Sequence, residues 1–258
     1  MTRTEISVII PTLRERDNLE RLLPLIADVL RQANLAAEIV VVDDNSRDGT
    51  EDLCRQLAEC YPVRHIIRRE ARGLATAVLH GLANSAGDIC VVMDADSSHP
   101  PSALPELIGA VRSSDCDIAI GSRYVRGGSV DPDWSLFRRL NSRVATLLAR
   151  GLTRAADPLA GFFAIRRATL ARATTLQPLG YKVSLELIVR CKCQNIIEVP
   201  IAFRDRKLGE SKLSAGQMWL YLRHLARLYA SVYLPEQVNP RNDARRPSPQ
   251  ISTGRKAA

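Results

Sequence analysis

Over the first 120 positions, apolar residues fall in short, nearly continuous runs separated by longer stretches with helical spacing. The runs at Ile6–Ile10, Glu38–Val42, Arg64–Ile67, Asp88–Met93 and Asp117–Ile120 predict strands. Two of them contain IVVV and ICVVM, the reading expected of strands buried on both faces of a parallel sheet. Patterns near 17–33, 49–60, 73–85 and 102–112 predict helices between them, with Asp48-Gly49 and Ser102 as start signals and Asp48 as the expected N-cap. Repeated strand–helix units imply right-handed crossovers and a doubly wound α/β sheet. Beyond residue 123 the pattern loosens. A glycine-rich piece at Arg126–Ser129 leads into a basic helix at about 136–150, and further apolar runs follow at Gly161–Ile165 and Ile196–Phe203. A long amphipathic stretch, 214–234, ends what reads as one domain, 1–234. The remainder, 235–258, turns to Pro, Ser, Asn and Arg and reads as a disordered basic tail.

In open parallel sheets, ligands bind beyond the carboxyl ends of the strands. Those ends carry Pro11-Thr12 with Glu15, then Asp43-Asp44-Asn45, then Asp94-Ala95-Asp96, then Gly121-Ser122-Arg123. Four strand ends therefore aim polar groups at one crevice.

Composition narrows the choices. Hydrophobic residues make up 46% of the 258, enough for an ordinary buried core. The net charge is +8, of which three charges lie in the tail. A moderately basic body suits phosphates, nucleic acid or an anionic membrane, and equally a well-solvated surface. Six cysteines form no CxxC pair and no zinc-finger spacing, so reduced thiols are expected. No stretch reaches the ~18 apolar residues of a spanning helix. GxGxxG, GxxxxGK[ST] and GxSxG are all missing, which removes the main support for dehydrogenase, P-loop and serine-hydrolase readings.

Asp94-Ala95-Asp96 is the chief chemical candidate. Residues two apart on a strand share a face, so both carboxylates can point into the crevice and hold a hard divalent cation. Such a cation would neutralise a leaving diphosphate. A pair of turn-forming aspartates is the competing explanation. Asp43 and Asp44 can accept hydrogen bonds from a base or ribose, and two adjacent aspartates exceed what capping needs. Among the arginines, Arg123, Arg138 and Arg139 are the candidates for phosphate. The loop from Phe203 to Leu213 is basic and glycine-hinged, suited to closing over a phosphate or serving as an ordinary charged turn. In 214–234, Arg223 and Arg227 share one face and Trp219, Leu222, Leu225 and Tyr229 lie on a wide apolar arc. That pattern fits a helix in a membrane interface and fits packing on the core equally well.

Taken together, these segments resemble the family-2 glycosyltransferases, and within them the dolichol-phosphate (polyprenol-phosphate) mannose synthases. The resemblance runs from about Glu5 to about Leu234. It rests on Val8-Ile9-Ile10-Pro11-Thr12 with Glu15, VVDDNSRDGT, MDADSSHPP, GSRY with Trp134, the Asp157–Phe163 segment, Gly180-Tyr181-Lys182, and DRKLGESKL. It implies a GT-A fold, a Rossmann-like, mostly parallel sheet flanked by helices, and an inverting transfer of mannose from GDP-mannose to dolichyl or polyprenyl phosphate. By position, Pro11, Thr12, Glu15, Asp43, Asp44, Asp94 and Ala95 would bind the nucleotide-sugar. Asp94 and Asp96 would hold Mg²⁺ or Mn²⁺. Arg123, Arg138, Ser211 and Lys212 would meet the acceptor phosphate, with Asp96, Arg123, Arg206 and Lys212 catalytic. The expected partners are the donor, the lipid phosphate, the cytoplasmic face of a membrane and a membrane-anchoring subunit, with no nucleic acid. The same chemistry with UDP-glucose, and a non-catalytic nucleotide-sugar-binding subunit, stand as alternatives.

Overall fold

A computed structural model of the chain describes residues 4–70, 72–112, 115–173, 175–177, 180, 182–205 and 215–234. The tail from 235 and the loop 206–214, which carries Arg206, Ser211 and Lys212, lie outside the described residues. In chain order the elements are β1 (Ile6–Thr12), α1 (Arg16–Gln32), β2 (Ala37–Asp43), α2 (Thr50–Leu57), β3 (Val63–Ile67), α3 (Leu74–Asn84) and β4 (Ile89–Val92). A short 3₁₀ turn (Pro101–Ala103) then leads to α4 (Leu104–Arg112), β5 (Ile118–Ser122), α5 (Leu136–Ala149), β6 (Phe163–Arg166) and α6 (Arg167–Leu170). The last three are α7 (Val183–Arg190), β7 (Ile196–Pro200) and α8 (Ala215–Tyr233).

The strands form one sheet in the order β3-β2-β1-β4-β6-β5-β7. β6 runs antiparallel to both neighbours and every other pairing is parallel. The chain starts at β1, winds outward to β3, then crosses back to β4 on the other side. The switch point between β1 and β4 leaves the crevice that such sheets use for ligands. The reversed β6 begins at the edge where its neighbours end, so the loop before it also reaches that crevice.

All seven residues of β1 and all four of β4 are buried, which is why their runs are apolar without alternation. Alternate side chains still go to opposite faces. Val8 and Ile10 join the core beneath α1 and α4, whereas Ile9 joins Val40, Val42, Ala77 and Val78 beneath α3. At Gly81 of α3, an added Cβ would lie 2.4 Å from the Ile9 side chain, so only glycine lets helix and sheet approach this closely. A third, smaller core joins α5, α7 and α8 through Ala149, Leu185, Tyr221, Leu225 and Leu228.

One local reading needs correction and one needs an addition. The N-cap of α2 is Gly49, in a left-handed conformation, and not Asp48. Asp48 sits one residue earlier and accepts from the N–H of Thr50 (3.1 Å) and from that of Arg16 (3.3 Å), serving two helix starts at once. The helix read as basic, α5, also exposes a row of apolar side chains that its charge had overshadowed: Leu136 is 84%, Phe137 72%, Leu147 61% and Leu140 60% exposed.

Candidate active site

The centre of the crevice is the turn that leaves β4. Asp94, Ala95 and Asp96 are followed by Ser97 in a left-handed conformation (φ 59°), which turns the chain sharply. Three more non-glycine residues with positive φ, Arg14, Asn45 and Arg47, follow β1 and β2 at the same edge. Such backbone is costly and gathers at functional sites. Asp96 is buried and accepts the Ser98 N–H at 3.1 Å. Asp94 is held from behind by His99, whose Nδ1 accepts the Asp94 N–H at 3.4 Å and lies 3.9 Å from Oδ2. Burial pushes the His99 pKa down against the raising influence of Asp94 and Asp96, in keeping with a neutral ring whose Nδ1 accepts. The ring packs on Phe162 and Phe203, with centroids 5.2 and 5.5 Å away. Across the turn, a Cβ on Gly161 would come within 2.9 Å of Asp94 Oδ2, so the backbone before β6 presses directly on that carboxylate.

A divalent cation fits this donor set. Asp94 and Asp96 supply hard oxygen donors, and the buried Ser98 Oγ beside them has no hydrogen-bond partner. Among the described residues no group of three or more His, Cys, Asp or Glu forms a complete metal cage. Two carboxylates completed by phosphate oxygens are the arrangement Mg²⁺ commonly takes.

On the β1–β2 side, Pro11 and Thr12 are buried, and Thr12 Oγ1 is a second buried hydroxyl without a partner. Glu15 accepts from Asn18 Nδ2 at 2.6 Å. Asp43 faces His65 (3.5 Å) and accepts from the Ser46 N–H (3.1 Å) and hydroxyl. Burial would raise its pKa, but the His65 and Ser46 interactions outweigh it and hold the carboxyl below the usual range. Asp44 spans two elements, accepting from buried Arg68 (2.6 Å) and from the Gly73 N–H (2.7 Å). Arg68 in turn donates to Thr76 Oγ1 at 2.7 Å. Asp44 thus ties the end of β2 to the start of α3.

On the β5–β6 side, Arg123 meets Asp157 through a two-pronged ion pair, Nε to Oδ2 and a terminal nitrogen to Oδ1, both at 2.7 Å. Asp157 is fully buried, and its backbone and that of Ala156 are held by both oxygens of Glu198 from β7 (3.0 and 2.7 Å). The rings of Tyr124, Phe203 and Trp134 lie 5.2, 5.4 and 5.9 Å from the Arg123 guanidinium carbon. Arg138 stacks on Trp134 at 4.1 Å and pairs with Asp205. Arg139 instead donates to the carbonyls of Trp134 and Pro132, fixing the turn before α5.

Lys182, just before α7, sends its amine toward the Leu159 carbonyl (3.5 Å). Burial, then repulsion from Arg123, pulls its pKa down to about 7 against the attraction of Asp157 and Asp94. The chain thus brings Asp94, Asp96, Arg123 and the β1–β2 residues to one edge. To these it adds His99, Asp157 and Lys182, which the strand-end rule does not single out. Asp157 lies four residues before the apolar run GFFAI, inside the Asp157–Phe163 segment that carries the resemblance, but no strand end points to it.

This sheet order, with a reversed strand next to the acidic turn, defines the GT-A class of sugar-transferring folds. The family model for glycosyl transferase family 2 matches residues 7–173. The chain belongs to that family and is a glycosyltransferase. It is 43% identical over 228 residues to a dolichol-phosphate mannosyltransferase of Pyrococcus furiosus, covering 87% of this chain and 63% of that one. The chain therefore spans less than two thirds of that relative's length. The proteins of the same name from Mycosarcoma maydis and Saccharomyces cerevisiae are 40% and 38% identical, with 86% and 87% of this chain and 78% and 87% of theirs aligned. In fold the chain is similar to glucosyl-3-phosphoglycerate synthase from Mycobacterium tuberculosis (TM-score 0.65, 21% identity, 89% of this chain and 80% of that one). It is also similar to mannosyl-3-phosphoglycerate synthase from Rubrobacter xylanophilus (TM-score 0.70, 18% identity, 91% and 77%).

Proposed function

We propose that this glycosyltransferase moves mannose from GDP-mannose to dolichyl or another polyprenyl phosphate, with Mg²⁺ or Mn²⁺ bound at Asp94 and Asp96. The observation that carries the reading is the acidic turn after β4, with its partnerless Ser98 hydroxyl, at the switch point of the sheet. The names of the three relatives support mannose and dolichyl phosphate. The Mn²⁺ and UDP-glucose named in the mycobacterial synthase complex support a metal-assisted nucleotide-sugar reaction on this fold.

The acceptor is a phosphate monoester, largely dianionic at neutral pH because its second pKa is about 6. It needs no base to attack the anomeric carbon from the face opposite the departing diphosphate. A bound divalent cation supplies charge neutralisation for that diphosphate. The chain's own work is alignment. His99 and Gly161 fix Asp94, and Ser98 fixes Asp96. Pro11, Thr12, Glu15, Asp43 and Asp44 border the nucleotide side, and Arg138 borders the acceptor side.

A lipid acceptor calls for a membrane-facing surface. α5 and α8 are tied together by Tyr221, Tyr229 and Tyr233, whose hydroxyls donate to the carbonyls of Ala145, Leu148 and Gly151 (2.6, 2.8 and 2.7 Å). Outward they expose Phe137, Leu140 and Leu147 from one helix and Trp219 (68%) from the other, with Arg143 and Arg223 beside them. Apolar groups rimmed by arginine fit a helix pair lying in an anionic membrane interface. Among the described residues no helix is long and apolar enough to cross a membrane. Peripheral attachment at the cytoplasmic face, directly or through an anchoring subunit, follows from this reading.

Incubation with labelled GDP-mannose, Mg²⁺ and polyprenyl phosphate should yield an organic-extractable labelled lipid, lost with EDTA. Label transferred only from a uridine donor would replace the assignment of the donor.

A further inference from the structure

The lysine that opens α7 sits where the loop before β6 meets the acidic turn. That loop touches three charged residues at once. Asp157 at its start grips Arg123, its Leu159 carbonyl lies 3.5 Å from the Lys182 amine, and Gly161 at its end packs on the Asp94 carboxylate. A second stitch, Ser184 Oγ to the Pro158 carbonyl at 2.8 Å, fixes the first turn of α7 to the same loop. The two residues after Lys182, Val183 and Ser184, line a small pocket together with Asp94 and Gly161. The amine is therefore carried on a backbone braced against the loop that presses on Asp94.

The Arg123–Asp157 pair does not itself call for a second cation. Asp157 is already matched in both oxygens by Arg123. Keeping an ammonium buried next to an arginine is costly, and structures that retain such a group commonly use it on a ligand. A lysine is a compact point charge with three donors, suited to phosphate oxygens in varied positions.

We propose that Lys182 is a catalytic residue whose ammonium contacts the donor at the phosphate that carries the sugar and takes up charge as that phosphate departs. This rests on the nucleotide-sugar reading given above. In the step itself, the bond from the anomeric carbon to the diphosphate oxygen breaks and its electron pair leaves on the diphosphate. An oxygen of the acceptor phosphate forms the new bond to the same carbon. No proton is transferred, and Lys182 keeps its own throughout.

The test compares Lys182→Met and Lys182→Arg with the parent chain by calorimetric binding of GDP and GMP in Mn²⁺, together with kcat for mannosyl transfer. GMP lacks the outer phosphate that the ammonium would meet. Lys182→Met should weaken GDP binding about tenfold, leave GMP binding unchanged, and lower kcat on the order of 100-fold, the scale of losing one donor to a developing anion. Lys182→Arg should recover part of both losses. Unchanged GDP binding with kcat within threefold of the parent would overturn the proposal. Equal weakening of GDP and GMP with a lowered melting temperature would also overturn it, because that pattern marks a packing role. A parent chain that binds no nucleotide would sink the functional reading itself.

Discussion

Arg123 and Asp157 form a forked charge pair at the crevice, two 2.7 Å contacts closed on a carboxylate with no solvent exposure. The pair joins the end of β5 to the loop before β6, and Glu198 of β7 holds that loop from the other side. Arg123 is thereby a brace of the site as well as a phosphate candidate. Removing one partner leaves the other charge buried and uncompensated. Asp157→Ala should cost about 3–5 kcal/mol of stability, read from urea midpoints. Arg123→Met with Asp157→Leu should cost less than the sum of the single changes, and transfer should remain lost in the double variant.

Asp96→Ala should abolish transfer, by about 100-fold or more, while the melting temperature stays close to that of the parent. Asp96 stands at the crevice and accepts the N–H of the neighbouring Ser98, outside the packed core of the sheet. Thermal unfolding beside the radiolabel assay separates the two effects.

Gly161→Ala tests the grip on Asp94 by steric means. The new methyl would lie 2.9 Å from Oδ2 and must displace the carboxylate. A loss of Mn²⁺-dependent nucleotide affinity is expected, with a far smaller effect when glycine is replaced at Gly109, where nothing lies within 4 Å.

The buried contact between α7 and α8 should respond to acid. Glu186 accepts from the Gln177 N–H at 2.9 Å and lies 2.7 Å from His224 Nε2. Burial alone would raise its pKa, but His224 and the Gln177 N–H outweigh it and hold it below the ordinary value of 4.5. A carboxyl lowered by folding contributes stability that is present above its unfolded pKa and lost as pH falls through the folded one. Glu186→Gln should therefore flatten the loss of stability below about pH 4.5, measured as urea midpoints against pH.

Phe137→Glu with Leu140→Glu should release the protein from anionic vesicles in a sedimentation assay and leave GDP binding unchanged, since both side chains are exposed and neither is among the residues placed on the nucleotide side. Retained vesicle binding would move the membrane contact elsewhere.

Much of this architecture was readable from hydrophobic pattern. β1, β2, β4 and β5 lie within two residues of their expected ends because continuous apolar runs have few other homes. The reversed direction of β6 was not readable, because GFFAI suits a parallel or antiparallel strand alike. α7 escaped notice as a helix of eight residues whose buried positions include Ser184 and Glu186, which break the apolar periodicity. The acidic turn was legible because its carboxylates lie two residues apart directly after an apolar run. Asp157, His99 and Lys182 were not, since their roles depend on a loop of β6 meeting the end of β4. The arginines of α5 were plain in the sequence, whereas its exposed apolar row was not, because which side stays open is set by packing against α8.

The central claim is that the carboxylates after β4 bind the cation and donor diphosphate together. The most direct measurement is GDP affinity with and without Mn²⁺ in the parent chain and in Asp94→Asn/Asp96→Asn. The account predicts that Mn²⁺ tightens GDP binding in the parent and has no effect in the double variant. An equal gain from Mn²⁺ in both proteins would contradict it.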